Sequence, residues 1–287
     1  MFLTIRVPRL VLMVLSIVLL AACFCGGTVA AVRELQTDSS VQLPIIMYHS
    51  ILREKSQQGK YVVSPESLES DFTWIKQNGY HTVVVEDLLN YVNKQIPLPE
   101  KPIMITFDDG FYNNYYYAYP LAQKYHMKIV ISPVGYYTDL YTEGDADHPN
   151  YSYLTWEEIK EMMQSGLVEI QNHSYNLHEM HPRQGAQKRK GESVAQYQAV
   201  LRKDLETMQK KMLDHTGYAP TAFVYPFGAV SQESIPVLHE IGFQASMNCM
   251  MKMNDITQDP DCLFGLGRYL RPSGISSDSY FQKIGLG

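Results

Sequence analysis

The sequence predicts an α/β fold whose parallel sheet closes, or nearly closes, into a barrel of seven or eight βα units. Short apolar runs alternate with amphipathic stretches from residue 43 to residue 287. The runs are apolar at consecutive positions, the pattern of strands covered on both faces. That many units in series fit a barrel better than an open sheet. No internal repeat or low-complexity block interrupts them.

Strand-like runs fall at Pro44–Tyr48, Thr82–Val85, Ile103–Phe107, Ile129–Ile131, Val168–Ile170, Ala222–Tyr225 and Phe243–Met247. The helices between them carry their own punctuation. Ser64-Pro65-Glu66 supplies a cap, a first-turn proline and an early acid, and Gly79 stops that helix. Thr155 caps a helix through Met163 that ends near Gly166. A long amphipathic stretch runs from Ser193 to His215 and stops at Gly217, and Ser231 opens another that Gly242 closes. The run Tyr112-Asn113-Asn114-Tyr115-Tyr116-Tyr117 reads as a helix start with one tyrosine face inside and the other rings free to line a groove.

The first thirty residues stand apart. Arg6 and Arg9 precede an apolar stretch, Leu10 to Ala22, that ends in Leu20-Ala21-Ala22-Cys23. This is the layout of an export signal, set aside in reading the fold. The Leu-Ala-Ala-Cys ending resembles a bacterial lipobox, whose cysteine is lipidated after cleavage. Cleavage after Thr28-Val29-Ala30 and an uncleaved anchor running to Val32 are the alternatives, since about 20 apolar residues span a bilayer. Each places the domain outside the cytoplasm, secreted or anchored to the outer face of the cytoplasmic membrane by a lipid or a helix. The expected division is a signal or anchor over 1–30, a polar linker over 31–42 and one domain over 43–287.

Composition excludes other classes. With 45% hydrophobic and 19% charged residues the chain is globular. A net charge of -6 argues against a nucleic-acid partner, and the basic run Lys188-Arg189-Lys190 reads as a solvated loop. Cys249 and Cys262 are the cysteines outside the targeting segment, too far apart for a zinc signature and open to pairing in an oxidising compartment.

Polar residues gather where the strands end. His49 follows the first strand, Asp108-Asp109 the third and His173 the fifth, while Pro226-Phe227-Gly228 follows Ala222–Tyr225. In a parallel barrel the strand C-termini share one face, so these distant residues meet there. Adjacent aspartates cannot point the same way from an extended chain, so one can hold a cation while the other faces water. Imidazoles from His173 and His178 with a carboxylate suit a divalent ion. His181 competes as a ligand, although it and His126, His148, His215 and His239 read more simply as structural histidines.

Thr106-Phe107-Asp108-Asp109-Gly110, with His173-Ser174 and Tyr225-Pro226-Phe227-Gly228, resembles the motif set of polysaccharide deacetylases of carbohydrate esterase family 4, the NodB-type fold. Pro44-Ile45-Ile46-Met47-Tyr48-His49 resembles the circularly permuted branch that deacetylates poly-β-1,6-N-acetylglucosamine. The C-terminal third, fittingly, shows no Leu-x-x-His segment. The resemblance covers residues 41 to 275. It implies a distorted (β/α)7 barrel, a metal held by Asp109, His173 and His178, Asp108 as general base and His49 as general acid. The implied ion is Zn2+, with Ni2+ or Co2+ as alternatives. The implied substrate is an extracellular N-acetylglucosamine polymer, poly-β-1,6-N-acetylglucosamine first and peptidoglycan second. One departure stands out. Phe223-Val224-Tyr225-Pro226 lacks the arginine that many members place before Pro-x-Gly to steady the base, and Arg268 and Arg271 are the candidates to replace it. Without that replacement the alternative is a catalytically silent, glycan-binding envelope lipoprotein.

Overall fold

The strands close into a ring of parallel neighbours around an apolar interior. The computed structural model describes residues 40–144 and 147–287, so the expected signal and almost all of the linker lie outside the described residues. In chain order the strands are β1 (Val41–Leu43), β2 (Ile45–Tyr48), β3 (Ser50–Ile51), β4 (Val62–Val63), β5 (His81–Thr82), β6 (Pro102–Asp109) and β7 (Ile129–Pro133). They continue with β8 (Val168–Ile170), β9 (Ala222–Val224), β10 (Ala245–Met247), β11 (Asn254–Ile256) and β12 (Tyr269–Leu270). β1 takes in residues 41 and 42, which the sequence reading gave to the linker; they pair antiparallel with β11.

Parallel pairing runs β12–β2–β6–β7–β8. Single parallel bridges, Asn172 to Phe223 and Met247 to Leu266, carry the path from β8 to the β9–β10 pair and back to the segment that leads into β12. The ring therefore has seven members, β2, β6, β7, β8, β9, β10 and β12, and the two single-bridge joints are where it is distorted.

Side-chain parity sorts the core. Ile45, Met104, Val130, Ala222, Val224, Ala245 and Met247 form one buried cluster. Ile46, Tyr48, Ile105, Phe107, Ile131 and Ile170, one residue out of step, pack in another with Phe72, Trp74 and Met208 from the helices. Burying such side chains contributes about 1.5–3 kcal/mol each, which fixes the register. Asp108 shares parity with Met104 and Thr106, and His49 with Ile45 and Met47, so both continue inward-facing rows.

The helices are α1 (Pro65–Gln77), α2 (Val85–Lys94), α3 (Tyr119–Tyr125), α4 (Gly135–Glu143), α5 (Trp156–Gln164), α6 (Val194–Thr216), α7 (Ile235–Ile241) and α8 (Ser277–Lys283). Their caps match the sequence signals: Ser64 accepts from the Ser67 N–H, Thr155 from Glu158 and Ser193 from Gln196. Two expectations change. The run Thr82–Val85 is a strand only at Thr82, because Val85 opens α2, where Glu169 accepts from the Val85 and Glu86 N–H groups. In the tyrosine run, Asn114–Ala118 forms a π-helical turn. Its tyrosines stay off the cavity described below, and the neighbouring Phe111 lines it instead.

Candidate active site

β6 is buried through Asp108 and, Thr106 apart, apolar up to its last two residues, Asp108 and Asp109. Asp109 bends out of the strand with φ 71°, and Gly110 follows with φ 75°. A Cβ on Gly110 would lie 2.5 Å from the Pro133 Cβ, so only glycine lets β6 turn beside β7. The bend sends the two carboxylates to different tasks.

Asp109 turns towards the histidines. Its Oδ1 lies 3.0 Å from His178 Nε2 and 3.5 Å from His173 Nε2. Donor atoms of the three residues all fall within 4.8 Å of one another. His173 Nδ1 is 2.8 Å from the Val224 carbonyl, which can only accept, so that nitrogen carries the proton and Nε2 presents a lone pair to Asp109. Two acceptor atoms facing each other need a cation or a proton between them. Burial alone would raise the Asp109 pKa, yet the imidazoles of His173 and His178 beside it hold it far below the carboxylate range. Burial lowers His178, and the bond to Asp109 outweighs it to raise the imidazole. Both groups thus favour positive charge at their meeting point, and a divalent ion fits this donor set. His181 is exposed and outside the group.

Asp108 points the other way, into the barrel. Arg268 Nη1 and Nη2 donate to its two oxygens at 2.6 and 2.7 Å, and Arg268 Nε donates to the Asn248 carbonyl at 3.0 Å. Arg268 is 0% exposed and Asp108 2%. Burial would raise Asp108, but the Arg268 charge, then His173, lowers it below its ordinary value. Arg271 serves elsewhere: its fork grips Asp71, which also accepts from the Tyr48 hydroxyl, beneath the strand that carries His49. Of the two arginines, the structure sets Arg268 on the carboxylate.

His49 lies across the cavity, its ring 4.9 Å from that of Tyr61. Burial pushes its pKa down against the pull of Asp108 and Asp109. Asn114 Nδ2 holds the His49 carbonyl at 2.8 Å, and Asn113 Oδ1 accepts from the Ile51 N–H at 2.9 Å. The segment after Asp109 and the segment after His49 are therefore tied together.

All five residues line one cavity of about 660 Å³. Tyr61 (48% exposed) and Phe227 (39%) rise at its edges, the latter with φ 58° and its ring 4.7 Å from that of His178. Sequence reasoning missed Tyr61, Phe111 and Cys249 in this lining. Only a fold places them, since none sits in a strand-end motif. Cys249 and Cys262 are free thiols, and burial pushes Cys249 up, which keeps it a poor nucleophile.

A parallel α/β barrel with a histidine–carboxylate donor set at its mouth, and a second carboxylate locked by arginine beside it, has the make-up of a hydrolase with a candidate metal site. Residues 95–246 match the polysaccharide deacetylase family model, and the chain belongs to that family. It is 24% identical over 262 residues to poly-β-1,6-N-acetyl-D-glucosamine N-deacetylase of Escherichia coli (strain K12), covering 82% of this chain and 39% of that one. With the enzyme of the same name from Staphylococcus aureus (strain N315) it shares 26% over 184 residues, covering 64% of this chain and 60% of that one. The chain thus spans less than two thirds of either relative. Among solved structures, a de-N-acetylase from Aggregatibacter actinomycetemcomitans superposes with TM-score 0.73 at 26% identity, covering 85% of this chain and all of that one. The IcaB structure from Ammonifex degensii, at TM-score 0.68 and 24% identity over 85% of this chain and 95% of that one, shares the fold.

Proposed function

We propose that the protein is a metal-dependent N-deacetylase that removes acetyl groups from an extracellular N-acetylglucosamine polymer, poly-β-1,6-N-acetylglucosamine ahead of peptidoglycan. The observation that carries this reading is the division of labour at the end of β6, with Asp109 in a three-residue donor set and Asp108 held by Arg268. Asp109, His173 and His178 would hold the ion, Zn2+ first, with Ni2+ or Co2+ as alternatives. Such an ion supplies Lewis-acid polarisation of a carbonyl and makes water more acidic.

Asp108 takes a proton from the attacking water. Arg268 keeps both carboxylate oxygens fixed, so the base needs no reorganisation. A backbone N–H near Phe227 supports the oxyanion. His49 hands a proton to the departing nitrogen, and its lowered pKa makes the protonated ring a strong donor. Acetate and a free amine on the sugar result. The silent-binding alternative rested on a missing arginine, and Arg268 removes that support.

The sugar polymer is the proposed partner, together with the membrane through the N-terminal lipid or anchor. Among the described residues no helix is long and apolar enough to cross a membrane. Acetate release from metal-supplemented poly-β-1,6-N-acetylglucosamine, peptidoglycan and chitin oligomers tests the reading. Release from the first, or from the second, fixes the substrate; release from none of the three counts against it.

A further inference from the structure

The turn between the two histidines of the donor set is held in an unusual way. Ser174 adopts φ 78°, and the four N–H groups of residues 174–177 all donate to side-chain oxygens. Two of those acceptors belong to the turn's own segment: Asn172 Oδ1 takes the Ser174 N–H at 2.7 Å, and Ser174 Oγ takes that of Leu177 at 3.1 Å. The middle two come from one carboxylate on another element. Asp204, in α6, accepts from the Tyr175 N–H at Oδ1 and from the Asn176 N–H at Oδ2, both at 2.8 Å.

We infer that Asp204 is a positioning residue for the metal site, setting where His178 sits relative to His173 and Asp109. The inference rests on the reading of those three residues as ligands. Local bonds within 172–177 shape the turn, and Asn172 and His173 pin its start to β9. Asp204 ties the middle of the turn to a 23-residue helix that is itself anchored by buried Tyr197, Leu201, Leu205, Met208 and Met212. The Ser174 and Tyr175 carbonyls accept in turn from the Gly135 and Tyr136 N–H groups of α4, which fixes the turn from its other side. The chemistry explains a carboxylate here. Two N–H groups meet two separate oxygens, and an amide offers one oxygen and sets an NH2 against the second N–H. No salt bridge engages Asp204 among the described residues, so its charge serves the turn.

Residues that orient metal ligands typically cost about 10–100-fold in affinity when changed. The test is the Zn2+ dissociation constant by chelator competition, measured on the exported domain with wild-type sequence, Asp204→Asn and Lys203→Gly. Lys203→Gly lowers the stability of the same helix at a neighbouring exposed position without touching the turn. Asp204→Asn is expected to bind Zn2+ about tenfold more weakly or worse, with turnover restored by excess Zn2+, while Lys203→Gly keeps wild-type affinity. Asp204→Ser removes the carboxylate without opposing an amide to the N–H groups, and gives the same comparison should the Asn variant not fold. Wild-type affinity in a folded Asp204 variant would overturn the positioning role and leave the ligand assignment standing. Failure of the wild-type domain to bind Zn2+ would overturn the ligand assignment, and the positioning role with it.

Discussion

Arg268 meets Asp108 with both ends of its guanidinium, at 2.6 and 2.7 Å, although 160 residues separate them. A bidentate fork of this kind fixes a carboxylate in position and in charge state together. The ring closure through β12 makes the meeting possible, because Arg268 lies just before that strand, and β12 pairs with β2, the neighbour of β6.

Arg268→Met removes the fork and leaves a buried carboxylate unpaired, a change worth about 3–5 kcal/mol. In the wild-type protein Asp108 is lowered, so its contribution to stability is complete above the unfolded carboxylate value of about 3.9 and is lost as pH falls through the folded value. In the variant the Arg268 charge and hydrogen bonds are gone, and burial, the largest influence, is opposed only by His173 and His49; a raised Asp108 has a contribution that is complete below about 3.9 and is lost as pH rises. The Tm gap between the two proteins therefore widens from pH 4 to pH 7. The acid limb of kcat/KM moves to higher pH in the variant. Thermal melts and a pH–rate profile check both.

His173→Ala and His178→Ala each remove one imidazole from a donor set of three. Metal content after dialysis is expected to drop well below one ion per chain in both, while the fold persists. An unchanged stoichiometry in either would remove that histidine from the ligand set.

Asn114→Ala releases the His49 carbonyl from its 2.8 Å bond, in a residue that is 0% exposed. An unsatisfied buried group costs about 1–3 kcal/mol, so a lower Tm is expected. Turnover should fall with metal affinity unchanged, because the bond holds the acid side of the cavity and not the ligands. Equal losses in metal binding would show a general collapse instead.

Asp71→Ala strands Arg271, whose side chain is 1% exposed. Loss of about 3–5 kcal/mol is expected. The pair is remote from the donor set, so the folded fraction should bind metal with wild-type affinity, as isothermal titration would report.

How much of this was legible in the sequence follows from range. Strand-end residues such as His49, Asp108 and His173 announce themselves, because each ends an apolar run that local pattern reveals. Caps such as Ser64, Thr155 and Ser193 are likewise short-range. The hidden part is what distant segments bring. Arg268 and Arg271 have similar local surroundings, and only the closed ring decides which carboxylate each one meets. Tyr61 reaches the cavity on the β3–β4 excursion, which has no motif. Asp204 is one acid among many on an amphipathic helix until the fold sets it against the Tyr175 and Asn176 N–H groups. The expected strand at Thr82–Val85 failed because helix capping at Val85 overrode a β-branched run.

The most direct measurement is zinc stoichiometry and acetate release, taken together, for wild-type protein and Asp108→Asn on poly-β-1,6-N-acetylglucosamine. The account predicts one ion per chain in both proteins, acetate from the wild type, and a loss of about 10²–10⁴-fold in the variant, because only the base is removed. Acetate from Asp108→Asn at the wild-type rate, or turnover by a wild-type protein that holds no metal, would contradict it.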